Sequence, residues 1–210
     1  MEDGPSSSRQ SRCRGAGGLS ANFAATLRQA GIERVVAFDE GRFGLKGWFR
    51  RRWCTFGHRP PWIVDDRYEW VWVYIAITPT TGECCCLLLP HVDTICLELF
   101  LEAIREEWPG ERIGVVLDGS GSHRGGTVRW PEGIVPVPLP PYSPELNPAE
   151  QLFRHLRKRL ANEVFASLEA MQDRLTQELR RLWAHPKVIV RMTNYPYWRA
   201  GVNAITPSLP

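Results

Sequence analysis

Short apolar runs alternate with amphipathic stretches along most of this chain, and their spacing predicts an ordered series of strands and helices. Arg34-Val-Val-Ala-Phe-Asp39 is an apolar run ending in an acid, as a buried strand would read. Glu69 to Ile77 is β-branched and aromatic throughout, and Thr78-Pro-Thr-Thr-Gly82 is a turn that returns the chain along Glu83 to Leu89 as a hairpin. Asp93 or Thr94 caps a helix running to Trp108, with Ile95, Leu99 or Leu101, and Ile104 facing inward and Pro109-Gly110 as the stop. Arg112 to Asp118 is a second apolar strand ending in aspartate. A Gly-rich segment to Gly133 holds at most a poor helix, and Ile134 to Leu139 is a strand that its prolines confine to a sheet edge. Helices follow over Asn147 to Asn162 and Ser167 to Ala184, the latter with Leu168, Met171, Leu175, Leu179 and Leu182 at helical spacing.

The ends of the chain carry weaker patterns. Met1 to Gly18 is rich in Ser, Gly and Arg and reads as a disordered leader, and Ser20 to Ala30 reads as a short helix stopped by Gly31. The tail from Pro186 carries Tyr195, Tyr197 and Trp198 and reads as ending in Pro-rich coil. The expected division is therefore 1–31 as leader and short helix, 32–185 as one domain, and 186–210 as a tail. A hairpin followed by alternating strands and helices predicts an α/β fold, a mixed central sheet flanked by helices, in the order found in ribonuclease-H-like domains.

Composition narrows the class without deciding it. The 210 residues are 43% hydrophobic with 9 Trp, enough for a packed core. The net charge of +3 is too mild to announce a nucleic-acid binder, so that reading must rest on local clusters. No apolar run reaches the roughly 18 residues of a membrane span, and the first residues lack a secretory signal, so a cytoplasmic protein is expected. The 6 cysteines show no C-x-x-C spacing and read as small buried hydrophobes.

Three acids stand where chemistry is expected. If the strands ending at Asp39 and Asp118 are neighbours, both side chains emerge at the carboxyl edge of the sheet, where α/β folds place their ligand crevice. Glu150 opens the helix that starts near Asn147. Each has a structural alternative: the aspartates as loop caps, and Glu150 as the third residue of a capping box behind Asn147 and Pro148. Together they form a set of hard oxygen donors suited to Mg²⁺ or Mn²⁺, and two such ions about 4 Å apart can cleave a phosphodiester.

The segment Leu139-Pro-Pro-Tyr-Ser-Pro-Glu-Leu-Asn-Pro-Ala-Glu-Gln-Leu-Phe153 resembles the signature that precedes the catalytic glutamate of mariner-type DDE transposases, in their bacterial insertion-sequence branch. The likeness extends over roughly Val35 to Trp198. It assigns the first acid to Asp39 within Phe38-Asp39-Glu40, the second to Asp118 with His123 following, and the third to Glu150 of Asn-Pro-x-Glu; the spacing 150 − 118 = 32 also fits the family. The resemblance implies a ribonuclease-H-like fold, a pair of Mg²⁺ or Mn²⁺ ions on Asp39, Asp118 and Glu150, and cleavage and joining of DNA at transposon ends, in a bacterial, nucleoid-associated setting. Transposon-end and target DNA would be the partners, with a homodimer as a further expectation. Gly119 departs from the family, which has Asn after the second acid. The residues ahead of Val35 are too few for the family's helix-turn-helix, which predicts a separately encoded or lost end-binding half. The alternative is a non-catalytic DNA-binding remnant of a transposase.

Basic residues supply the candidate DNA contacts. Arg50, Arg51 and Arg52 are interleaved with Trp48, Phe49, Trp53 and Phe56, a combination suited to phosphate contact and base stacking, or to a solvated hairpin folded on the core. Arg154 and Arg157 share a helical stripe with Glu150. His123 is the remaining candidate. Glu40 ranks below Asp39 because a continuing strand turns it to the opposite sheet face.

Overall fold

A computed structural model describes residues 23–51, 53–58, 65–118, 128–140, 146–203 and 205. Five strands form one mixed sheet: β1 (Arg34–Gly44), β2 (Trp70–Ile77), β3 (Cys84–Leu89), β4 (Ile113–Leu117) and β5 (Ile134–Pro138), in the spatial order β3-β2-β1-β4-β5. The pairs β1–β2 and β2–β3 are antiparallel, while β1–β4 and β4–β5 are parallel. As its prolines require, β5 takes an edge. The mixed sheet with helices on both faces is the expected architecture.

The central strand β1 does not end at Asp39. It continues to Gly44 because Gly41 to Gly44 pair with Val73 back to Trp70, and because Phe43 alternates into the core while Arg42 points to solvent. The sequence hides this extension behind two glycines and an arginine.

One face of the sheet is covered by α1 (Thr94–Glu107), capped by Asp93, whose Oδ1 accepts from the Cys96 amide at 2.8 Å. Its buried residues are Cys96, Leu97, Phe100, Leu101 and Ile104, while Ile95 and Leu99 stay 69% and 55% exposed. The expected inward face is thus corrected for those two positions. Apolar residues occupy most of this helix, so periodicity cannot choose the face; Phe100, whose ring stacks 5.3 Å from Phe38 and 5.5 Å from Tyr74, chooses it. Residues 128–133 are not helical, and 119–127 lie outside the described residues.

The other face is covered by α2 (Ala149–Arg159), α3 (Leu168–Ala184), α4 (Pro186–Thr193) and α5 (Pro196–Asn203), with a helical segment at 23–29. Ser167 caps α3, accepting from the Ala170 amide, and the expected stripe of Met171, Leu175, Leu179 and Leu182 is buried. The buried carboxylate of Glu178 is held by Arg159, Arg174 and Arg181, which locks α3 to α2. No helix among the described residues is long and apolar enough to cross a membrane.

The tail expected from Pro186 holds two helices over 186–203, and most of its Pro-rich end lies outside the described residues. Prolines read as breakers in the sequence, but Pro186 and Pro196 each stand at the first position of a helix, where a missing N–H costs nothing. Trp198 of α5 is fully buried, its ring 5.5 Å from that of Phe23, and a Cβ on Gly201 would stand 2.4 Å from the same phenyl ring. The two ends of the described chain therefore share one core. Trp198→Ala is expected to cost about 3–5 kcal/mol in chemical denaturation; a loss under about 1 kcal/mol would show that α5 is only loosely attached.

Candidate active site

The site begins with the pairing of two strands. β1 and β4 are parallel neighbours with Ala37 opposite Val116, so Asp39 and Asp118 each stand two residues beyond the same level. Neighbouring strands lie about 4.8 Å apart, and side chains two apart share a face. Asp39 and Asp118 therefore fall on the face of Ala37 and Val116, the one that α2 covers. Asp118 directly follows Leu117, the last residue of β4, as expected, whereas Asp39 sits inside its strand.

Asn147 brings the third acid to them. Its amide is buried, with Nδ2 donating to the Phe38 carbonyl at 2.8 Å and Oδ1 accepting from the Ala149 N–H at 3.1 Å. One side chain thus satisfies the helix start and fastens it to the residue before Asp39. Glu150 lies in the first turn of α2, and Pro148, the residue flanking the helix, makes no side-chain cap bond. Gly41 sets how closely the helix approaches: a Cβ there would stand 2.4 Å from Phe153 Cδ1. Gly41 is two residues past Asp39 on the same face, and Phe153 is one helical turn past Glu150, so strand and helix touch beside the acids.

The electrostatics of Asp39 register this convergence. Its carboxyl is pushed up to about 8, first by burial, then by the charges of Glu150 and Glu40, with Asp118 adding to them. The Glu40 amide, donating to Asp39 Oδ1 at 2.9 Å, opposes the shift. Glu40 itself alternates to the α1 face, where its charge helps raise the Tyr74 phenol. Among the described residues, no three His, Cys, Asp or Glu side chains are grouped closely enough to hold one ion. The donor chemistry still fits Mg²⁺ or Mn²⁺, which bind through one or two carboxylates and complete their shells with water and substrate phosphate. A carboxyl lifted by burial and then by neighbouring anions is also one that a cation would relieve.

The candidate DNA contacts divide. Arg50, Arg51 and Arg154 are exposed, as are Trp53 and Phe56; Arg52, His123, Gly119 and residues 141–145 lie outside the described residues. Arg157 is not a solvated arginine. Its guanidinium lies 4.9 Å from the Trp48 ring centroid, 5.7 Å from Phe153 and 5.9 Å from Phe43, and its Nε is buried without a hydrogen-bond partner. Asn162, in the left-handed conformation at φ 63°, completes the clasp: its N–H donates to the Trp48 carbonyl and its Oδ1 accepts from the Arg50 amide. The start of the basic stretch is thereby tied to α2. The sequence reading missed Gly41, Asn162 and the strand contact of Asn147. The last was legible only as a helix cap, because its second partner is 109 residues away.

Comparison with known proteins bears on the family and the fold. A family model described as DDE superfamily endonuclease matches residues 34–172. An uncharacterized protein of Sinorhizobium fredii, y4pE/y4sA, is 34% identical over 98 residues, covering 46% of this chain and 73% of that one. The Mos1 transposase, solved as a paired-end complex with the left transposon end, superposes with a TM-score of 0.63 at 16% identity, over 99% of this chain and 65% of its own. Its paired-end complex with Mn gives 0.62 at 16% identity, over 93% and 62%. This chain spans just under two thirds of the length of those Mos1 chains, and the fold they share is ribonuclease-H-like.

Two outcomes follow from the packing and the charges. Gly41→Ala is expected to cost about 1–3 kcal/mol in urea denaturation, because the helix must shift off the strand; an unchanged midpoint would mean that the contact with Phe153 yields freely. Between about pH 4 and pH 8 the folded state holds a proton on Asp39 that the unfolded chain releases, so stability falls as pH rises through that window. Asp39→Asn should flatten this slope and be more stable than the parent at pH 8. Equal slopes in denaturation series at pH 5 and pH 8 would contradict the raised carboxyl.

Proposed function

The chain belongs to the DDE superfamily endonucleases, and from that premise we propose that it is the catalytic unit of a transposase, cleaving and joining DNA strands at transposon ends. The observation that supports this reading is that Asp39 and Asp118 stand at one level of neighbouring parallel strands, while Asn147 ties the helix start that bears Glu150 to the residue before Asp39. We take residues 32–185 as the catalytic unit and 186–203 as its support.

In this reading Asp39, Asp118 and Glu150 hold two divalent cations, Mg²⁺ or Mn²⁺. The complexes of Mos1 solved with Mn and with Mg support the choice of metal. Such cations would lower the pKa of an attacking water or 3′-hydroxyl and offset charge on the leaving oxygen. The chain's own contribution is placement. Asp39 is held rigid in the centre of the sheet, Asp118 stands at the same level on the next strand, and Glu150 comes down from above on a pinned helix end. Partial burial of Asp39 strengthens each of these interactions.

Arg50, Arg51 and Arg154, with Arg52 and His123, are proposed to contact DNA phosphates. Arg157 instead holds Trp48 and the adjoining basic stretch against α2. Phosphate contacts position DNA without reading its sequence. End recognition would therefore come from a helix-turn-helix element distinct from these contacts, and synapsis of two ends from a homodimer. A bacterial, nucleoid-associated setting is part of the proposal; the Sinorhizobium relative supports only its bacterial part.

The test is cleavage of labelled duplex by the purified chain with Mn²⁺ or Mg²⁺. Nicking is expected from the parent and none from Asp118→Asn or Glu150→Gln, with both variants folded and retaining DNA affinity. Cleavage by either variant at near parental rates would refute its catalytic role. DNA binding without cleavage by the parent would favour the alternative, a non-catalytic DNA-binding remnant. Binding itself should be weak and fall steeply from low to physiological salt. A preference for end over scrambled duplex above about 10³-fold would reveal a recognition element within this chain.

A further inference from the structure

The turn that carries Glu150 is held from a second side, by residues beyond the 34–172 span that the family model matches. Tyr197 of α5 donates its hydroxyl hydrogen bond to the Leu146 carbonyl, the residue just before Asn147. The hydroxyl of Tyr195, in the link between α4 and α5, accepts from Gln151 Nε2 at 2.7 Å, the residue just after Glu150. The two tyrosines therefore bracket Asn147 to Glu150, while Asn147 fastens the same turn to β1 on the sheet side.

Both phenols are themselves fixed. Their rings lie 5.9 Å apart, and Tyr197 also packs edge-on against Phe23 at 6.2 Å and Trp198 at 6.3 Å. Trp198 is fully buried, and the close approach of Gly201 to Phe23 leaves α5 little room to slide. A helix start gripped by the sheet alone could still rock about its single bond to Phe38. Two further bonds on the outer side remove that freedom.

We propose that Tyr195 and Tyr197 are positioning residues for Glu150, setting the height of its carboxylate over Asp39 from the C-terminal helices. The proposal rests on the reading of Glu150 as a metal ligand. Groups that orient metal ligands typically change metal affinity by about 10–100-fold when removed. A purely structural role would instead lower global stability and leave the affinity of the folded protein for metal unchanged.

The experiment uses the full chain and the double variant Tyr195→Phe/Tyr197→Phe, which keeps both rings. Amide hydrogen exchange is measured without metal, and Mn²⁺ affinity by water proton relaxation. Exchange at 149–151 is expected to rise roughly fivefold or more, with β1 amides unchanged and the Mn²⁺ dissociation constant raised about tenfold. Unchanged exchange in the turn, or Mn²⁺ affinity equal to that of the parent, would overturn the proposal. If the parent itself binds no Mn²⁺, the metal reading of Glu150 fails, and exchange at 149–151 alone decides whether the tyrosines position the turn. Should the double variant not fold, Gln151→Ala removes the Tyr195 bond without touching the aromatic cluster and is read in the same way.

Discussion

The buried amide of Asn147 is the joint on which the site depends. It gives a hydrogen bond to the central strand and takes one from the helix start, so the strand bearing Asp39 and the helix bearing Glu150 cannot drift apart without leaving buried polar groups unmade. Each such group costs about 1–3 kcal/mol when orphaned. Gly41 complements this joint by sterics: with no Cβ in the way, Phe153 lies directly on the strand, and the helix approaches as near as a backbone allows. Together they bring like charges close, which no carboxylate cluster would do unaided.

That closeness works against stability, and the fold offsets it with two apolar layers. On one face Phe38, Tyr74 and Phe100 form a contiguous aromatic cluster under α1. On the other, Phe43, Phe153, the leucines of α2 and α3, and Trp198 form a second core. At the end of β1 remote from the acids, Arg34 pairs with Glu83 and Glu111 at 2.7 Å each, tying the hairpin turn to the approach to β4. The sheet is thus clamped by ion pairs at the end remote from the acids. The Asp39 carboxyl, raised first by burial and then by the charges of Glu150 and Glu40, is where that conflict shows.

The basic stretch after β1 obeys a different constraint. Its first part is tied to α2 by Arg157 and Asn162, whereas Trp53 and Phe56 beyond it stand fully exposed. Arg154 and Arg157 lie on one helix three residues apart, yet one meets solvent and the other three aromatic rings. The difference lies not in the arginines but in what the chain brings over them: Trp48 and Phe43 arrive from β1 and the segment after it.

Much of the architecture was legible in the sequence because it follows local rules. The hairpin, the edge placement of β5, the Asp93 and Ser167 caps and the leucine stripe of α3 each depend on residues within a few positions of one another. The three candidate acids came from the same kind of local signal, the Asn-Pro-x-Glu string and the aspartates that follow apolar runs. What the sequence could not decide were matters of long-range contact. Periodicity left the face of α1 open until Phe38 and Tyr74 selected Phe100, and β1 passed Asp39 only because β2 offered it partners. The segment from Pro186 read only as a tail, yet it forms two helices, because a fully buried Trp198 and its neighbour Phe23 make it part of the core. Asn147 looked like a cap and proved also to be a tether, since its second partner is 109 residues away. Sequence alone sets local propensity and the inventory of chemical groups; which of those groups meet is decided by packing, whose contacts join residues that no sequence window holds together.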